Sequence, residues 1–475
     1  MIFSSLLITT TALLAQQSSQ WAVDTVHLGD GQTMHNVLIT INDGKITAVT
    51  QNADADDAQS VANAHMTPGL IDAYSYMGVD GATLEESRES TASLKLSNSL
   101  RFDAPAFGYA SSEGVTSAYI SPASMNVIGG LGCMVKTHGG QVASLFGDAG
   151  AAARLISDSA ALKVTLGGDP SMGNHTGSGK WTTSYTARRP NTRMGTVWVV
   201  RREFYRALEY VELRDQGQVA YNADLEVLAA ALSGDIQVRV QAREAHDVET
   251  ALRLQEEFGW PRMLIEEATN AHKIAEMVAR EHVPIVTGPA FDSSSRSIAR
   301  GPSAAELAYA AEPGQICCED YHAPGEEHVN ESGKLELSEF ALSLLPAVAP
   351  RYEAAPGLAR GRRSEGSGST PALPALLADA SVKFAMGSAE SHDSPLTESS
   401  LIYQARRAVR WGLDKDIALS LITSVPAQLC GYGDSLGQIK TGFDADLVLW
   451  SGDPLDPTSL PLVVIVDGQV VADNR

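Results

Sequence analysis

IQVRVQAR, residues 236–243, reads as a strand, and HDVETALRLQEEFGW, residues 246–260, follows with Val248, Leu252 and Phe258 along roughly one helical stripe. PRMLIEE (261–267) is a second strand. AHKIAEMVAREH (271–282) is a second helix with Ile274, Met277 and Val278 inward, and VPIVTG (283–288) is a third strand. Three consecutive strands joined by helices predict βα units and a parallel sheet, either a barrel or a doubly wound layer.

Outward from this core, LIYQARRAVRWG (401–412) and KDIALSLITSVPAQLCG (415–431) give two more amphipathic helices. At the N-terminal side VLITI, the tight turn NDG and KITAV alternate as short strands over residues 37–49. ADLVLW, LVVIV, a DGQ turn and VVAD repeat that style over residues 445–473. Neither end is large enough for a core, so the two are predicted to pack together as one small β-sandwich with the middle of the chain inserted. Residues 167–190 and 354–370 are Gly-rich and low in periodicity, and are predicted loops near the ligand-binding end of a barrel.

The chain has 475 residues, with 57 acidic against 35 basic and a net charge of -22. Such a field repels phosphate backbones and anionic lipid, so nucleic acid and membrane are not expected partners. Cys133, Cys317, Cys318 and Cys430 are too few and too scattered for a disulfide framework or a CxxC cage. Ile2 to Ala15 is an uncharged apolar run followed by QQSSQ, which suits a signal peptide and predicts export to a periplasm or the medium. It is too short to span a bilayer. No GxGxxG after a strand, Walker A, GxSxG or HExxH motif is found, and GLGC near residue 130 reads as a turn.

HMTPGLIDAYSYMG (65–78) resembles the entry motif of the amidohydrolase superfamily, where TPGLID leads into a His-x-His pair. GFDADLVLWSGDPL (442–455) resembles that superfamily's C-terminal signature. AHDVETALRLQEEFGW and EEATNAHKIAEMVAREHVPIVTGP are similar to βα units five and six of its imidazolonepropionase-like branch, and PNTRMGTVWVVRREFYRALEY to a segment of exported members. The resemblance implies an α/β fold, a (β/α)8 TIM-like barrel plus a small β-sandwich from both chain ends. The division is a signal peptide at 1–20, sandwich parts at 21–66 and 432–475, and the barrel at 67–431.

The superfamily hydrolyses C–N bonds with one or two divalent metals, zinc among them, which acidify a bound water and polarise the scissile carbonyl. Position by position the expected ligands are replaced. Tyr74-Ser75-Tyr76 stands where His-x-His belongs, and a neutral phenol is a poor zinc ligand. Gln241 and Arg243 stand for the fifth-strand histidines, and a guanidinium has no lone pair to donate. Glu267 stands for the sixth-strand histidine and Ala389 for the eighth-strand aspartate. Glu390, His392 and Asp393 are nearby but displaced in register, and can line the pocket.

No catalytic residue, metal or cofactor is therefore assigned. An improvised site would draw on Glu267, His246, His272, His392 and Asp393, although His246 is read first as a capping or solvated residue at a helix start and His272 as a partly exposed helix residue. Lys136 and Lys180 have little support as a carboxylated bridging lysine, and Asp72 fits a structural turn. Stripping a dication from inward polar groups leaves buried polarity to satisfy, so Arg243 and Glu267 are expected to pair, with Tyr74 and Tyr76 filling the volume. The expected function is a structural or regulatory partner of an active amidohydrolase paralogue, or a homo-oligomer. An atypical active hydrolase and a small-ligand-binding protein are the alternatives.

Overall fold

Alternation at the N-terminus becomes a set of paired strands in a computed structural model of the chain, which describes residues 18–53, 57–79, 85, 87–142, 150–171, 189–288, 370–389 and 400–475. β1 (Ser18–His27), β2 (Thr33–Asn42) and β3 (Lys45–Gln51) form an antiparallel meander, and β4 (Gln59–Ser60) and β5 (His65–Pro68) run parallel to β1. The chain then enters β6 (Leu70–Ser75), β7 (Val115–Ile120), β8 (Ile128–Val142), β9 (Gly150–Thr165), β10 (Gln237–Ala242), β11 (Met263–Glu267), β12 (Ile285–Thr287) and β13 (Phe384–Met386). These eight stand side by side in sequence order as one sheet. Finally β14 (Leu447–Trp450), β15 (Pro461–Val466) and β16 (Gln469–Asp473) return to the first sheet, where β14 pairs with β5.

Both chain ends thus build one eight-stranded sheet, whose buried face carries Trp21, Ile39, Met66, Phe443, Leu447 and Ile465. The second sheet is a nearly closed barrel. Asp72 on β6 accepts from the backbone N–H of Ser388 (2.9 Å) and its hydroxyl (2.5 Å), and Ala389 N–H donates to the Tyr74 carbonyl (2.7 Å). The residues after β13 are thereby fastened to β6, the structural role read for Asp72.

The barrel departs from an all-parallel pattern in one place. β8 runs antiparallel to both neighbours, so β8 and β9 form a long hairpin where a βα unit was expected. β8 ends at Val142 and β9 begins at Gly150, and a connection that short joins an antiparallel pair, whereas parallel strands need a crossover of a dozen or more residues. Elsewhere helices cover the barrel: α1 (Pro105–Ser112), α2 (Arg193–Asp215), α3 (Ala223–Ser233), α4 (Ala245–Phe258) and α5 (Ala275–Arg280). Val248, Leu252 and Phe258 face inward from α4 as predicted, and Gly259 ends that helix at φ 63°, a left-handed conformation glycine adopts without steric cost.

Barrel and sheet meet at a buried lysine. Lys136 on β8 is 1% exposed, and its ammonium contacts Asp444 (2.7 Å), Asp446 (3.2 Å) and Asp467. Lys45 also pairs with Asp444, and Arg154 with Asp467 at 2.6 Å. Lys136 is therefore a structural joint and not part of the barrel's open end. Cys133 and Cys430 are buried free thiols, while Cys317 and Cys318 lie outside the described residues, as does residues 1–17 of the predicted signal peptide. Among the described residues no helix is long and apolar enough to cross a membrane.

The small sheet carries a pH-sensitive pair. His27 Nε2 lies 3.0 Å from His65 Nδ1 across β1 and β5, and burial, then the neighbouring His65, pushes His27 down to about 4. A base whose pKa is lowered by folding adds stability that is complete above its unfolded value near 6.5 and is lost as pH falls toward 4. His27→Gln is expected to remove about 2 kcal/mol of that pH dependence once screening is included. The test is the wild-type minus mutant difference in urea stability; a difference that stays constant between pH 7 and 4 rules the effect out.

Candidate functional site: a charged layer inside the barrel

Barrel interiors are ordinarily filled by layers of branched apolar side chains. Here β9, β10 and β11 send charges inward. Lys163, Arg239 and Glu266 are all fully buried, on neighbouring strands where Lys163 pairs in register with Arg239. The Lys163 ammonium contacts Glu266, and Arg239 Nε lies 2.5 Å from Glu266 Oε1. That second contact lacks hydrogen-bond alignment, so it acts as charge on charge. Arg239 also donates to the Ala73 carbonyl at 2.5 Å and lies over the Tyr119 ring at 3.6 Å. Burial alone would raise the Glu266 carboxyl, yet Lys163 and Arg239 hold it below its ordinary value.

One layer higher, at the C-terminal strand ends, lie the residues that replace the expected ligands. Arg243, just past β10, forms a two-nitrogen contact with Glu267 at the end of β11 and donates to Asp169 Oδ2 at 2.6 Å. Gln241 donates to the same Asp169 oxygen at 3.2 Å. The Tyr74 hydroxyl donates to Glu267 Oε1 at 2.8 Å, and the two tyrosine hydroxyls lie 2.6 Å apart. Lys163 links the layers, 3.5 Å from the Tyr74 hydroxyl and over its ring. Tyr74 fits because residue 387 is glycine: a Cβ there would sit 2.5 Å from the tyrosine's own Cβ.

Burial, then the Glu267 charge, pushes the Tyr74 phenol well above its ordinary range, and Tyr76 is raised by the same two causes. Both phenols are neutral donors at physiological pH. Burial would lower the Arg243 guanidinium, but Glu267 and Asp169 hold it above its usual value. Glu267 itself has φ 66° and Ala268 φ 45°, a left-handed turn that lets adjacent Glu266 and Glu267 both join the interior network. Strained backbone of this kind concentrates at functional sites.

The amidohydrolase family model matches residues 335–472. Amidohydrolase tasK of Hapsidospora irregularis is 26% identical over 470 residues, covering 92% of this chain but 39% of that protein. The chain thus spans about two fifths of the length of this curated relative. The crystal structure of an amidohydrolase from Thermotoga maritima MSB8 superposes with a TM-score of 0.70 at 25% identity, covering 96% of this chain and 99% of that one. The chain is thus similar in sequence to amidohydrolases and shares their fold. A prolidase complexed with N-methylphosphonate-L-proline shares the fold at a TM-score of 0.51 and 15% identity, covering 96% of this chain and 100% of its own.

The donors that the chain presents at these positions do not fit a divalent metal. Lys163, Arg239 and Arg243 face Glu266, Glu267 and Asp169, so three fixed cations already balance three carboxylates. A further dication would meet repulsion, with no unclaimed anionic ligand in this network among the described residues. Among the described residues no group of three or more His, Cys, Asp or Glu side chains gathers to hold an ion. His246 is exposed on α4 beside Asp247 (3.4 Å), and His272 is half-buried in the turn after β11; neither joins the network. Ala389 adds only a backbone contact to Tyr74. Glu390, His392, Asp393 and Lys180 lie outside the described residues.

The structure brings together Tyr74, Tyr76, Gln241, Arg243 and Glu267. Sequence reasoning missed Lys163, Arg239, Glu266 and Asp169. The first three had a usable signal: an ionised side chain inside ALKVT, QVRVQ or LIEE must be paired if that strand is buried on both faces.

Proposed function

We propose that this is an exported, imidazolonepropionase-like amidohydrolase that has lost metal-dependent C–N hydrolysis and acts as a structural or regulatory partner of an active relative. One observation carries the reading: the Arg243 guanidinium, joined to Glu267 and Asp169, occupies the strand ends where the superfamily binds its metal. A permanently protonated group held by two carboxylates is not displaced by a weakly bound dication. The hydroxyls of Tyr74 and Tyr76 complete the site as neutral donors and offer no activated water.

Purified protein is expected to carry far less than one equivalent of zinc, manganese or iron by mass spectrometry, and to leave dipeptides and N-acyl amino acids uncleaved. Stoichiometric metal together with chelator-sensitive turnover would instead support an atypical active hydrolase. That reading draws on the names of its relatives and on His392 and Asp393, and loss of the turnover in His392→Ala would localise it. A second non-catalytic reading, small-ligand binding, is favoured by the partial exposure of Tyr76 and Arg243 at the barrel's open end. A tight ligand bound without turnover, with affinity lost in Arg243→Met, would select it.

A further inference from the structure

Thr165 and Gln241 are buried polar side chains at the barrel's open end that the charged network leaves incompletely satisfied. They pair in register at the C-terminal ends of β9 and β10, two residues beyond Lys163 and Arg239 and therefore on the same inward face. Both are fully buried, yet Thr165 Oγ1 and Gln241 Oε1 have no hydrogen-bond partner among the described residues. An acceptor stranded in this way costs stability and calls for a donor brought by something bound.

A third acceptor follows from counting protons, because a phenol carries only one. Tyr74 gives its own to Glu267 Oε1 at 2.8 Å, so the 2.6 Å contact between the two hydroxyls is donated by Tyr76, whose oxygen keeps its lone pairs uncommitted. Tyr76 is partly exposed at the open end. Arg243, which shares Asp169 with Gln241, supplies donors beside these acceptors: its Nη1 and Nη2 give one N–H each to Asp169 and Glu267, and each retains a second.

Charge narrows the ligand, and the spread of the acceptors narrows it further. Three cations already balance three carboxylates in the network, so an ion would enter unpaired whereas a neutral molecule would not. Acceptors on or next to β6, β9 and β10 require donors that diverge, more than the two N–H bonds of one carboxamide can aim. A sugar presents several O–H donors on one rigid frame, and each of its oxygens can accept from Arg243 in return. We infer that the barrel mouth binds an uncharged monosaccharide, with hydroxyls donating to Thr165, Gln241 and Tyr76 and another accepting from Arg243. The inference deepens the small-ligand reading above and rests on it.

Isothermal titration of the full chain with glucose, galactose, mannose and xylose tests it. At least one is expected to saturate with a Kd at or below about 1 mM, and its amino-sugar and uronic-acid counterparts to bind at least about tenfold more weakly. Thr165→Val replaces the stranded hydroxyl with a methyl of the same shape. It is expected to weaken binding at least about fivefold while its urea midpoint stays the same or rises, and Thr165→Ser to keep the affinity. Binding of none of these sugars, equal binding of the charged counterparts, or a Thr165→Val protein that loses stability but no affinity overturns the proposal. Stoichiometric metal in the same sample would overturn the non-catalytic reading along with it, whereas a metal-free protein that binds no sugar overturns the ligand alone.

Discussion

Replacing Glu266 with glutamine is expected to destabilise the fold by about 3–5 kcal/mol, the cost of stranding buried charge. Glu266 is fully buried and is the carboxylate that faces both Lys163 and Arg239. Without it two cations remain inside the barrel, helped only by the Tyr119 ring, the Ala73 carbonyl and the Tyr74 hydroxyl. Lys163→Met keeps similar volume and leaves a one-to-one Arg239–Glu266 pair, so its cost is expected to be distinctly smaller.

The order of the two effects is the informative result, read from urea unfolding midpoints with circular dichroism confirming that each variant folds. The Glu266 carboxyl is held below its ordinary value, so its contribution is complete above the unfolded value of 4.5 and is lost as pH falls below it. The gap between wild type and Glu266→Gln should therefore narrow in acid. A Glu266→Gln protein as stable as wild type, or less damaged than Lys163→Met, would show that the charged layer is not what holds these strands.

The second large effect is expected at the joint between barrel and sheet. Lys136→Met removes the ammonium that Asp444, Asp446 and Asp467 share, again at about 3–5 kcal/mol near neutral pH. Lys45 and Arg154 still offset Asp444 and Asp467, but Asp446 is buried and loses its cation. Burial already raises Asp446 to about 6 while Lys136 opposes the rise. A carboxyl raised by folding adds stability that is complete below its unfolded value of 3.8 and disappears as pH climbs through about 6.

Lys136→Met should consequently lose most at pH 7 and recover part of that loss near pH 5, where Asp446 takes up a proton. The contribution of Asp446 itself has the opposite pH sign to that of His27, yet the Lys136→Met and His27→Gln differences from wild type both shrink in acid, so each is measured at matched pH. A penalty that is small, or the same at pH 5 and 7, would count against the joint.

Several features were legible in the residues alone because they are local or periodic. Helical stripes such as Val248–Leu252–Phe258 and the alternation of VLITI and ADLVLW mark elements whose burial pattern follows from geometry over a few residues. The positions of Tyr74, Tyr76, Gln241, Arg243 and Glu267 could be read from motif register, since each lies at a strand end marked by a recognisable flank. Chemical type was enough to say that arginine and buried tyrosine are poor metal ligands.

What the tertiary structure alone decided depends on which distant groups meet. β8 runs antiparallel because its connections are short, yet its own residues carry no mark of direction. Nothing in ALKVT names Glu266 as the partner of Lys163, 103 residues away, nor shows that Asp169 would join Arg243. The left-handed turn at Glu267 that admits both glutamates is likewise invisible to alternation, which predicts opposite faces for neighbouring residues. Sequence determined which side chains face the barrel's open end; only the closing of eight strands into one sheet decided that their charges cancel, because electrostatic pairing depends on separation in space and not along the chain.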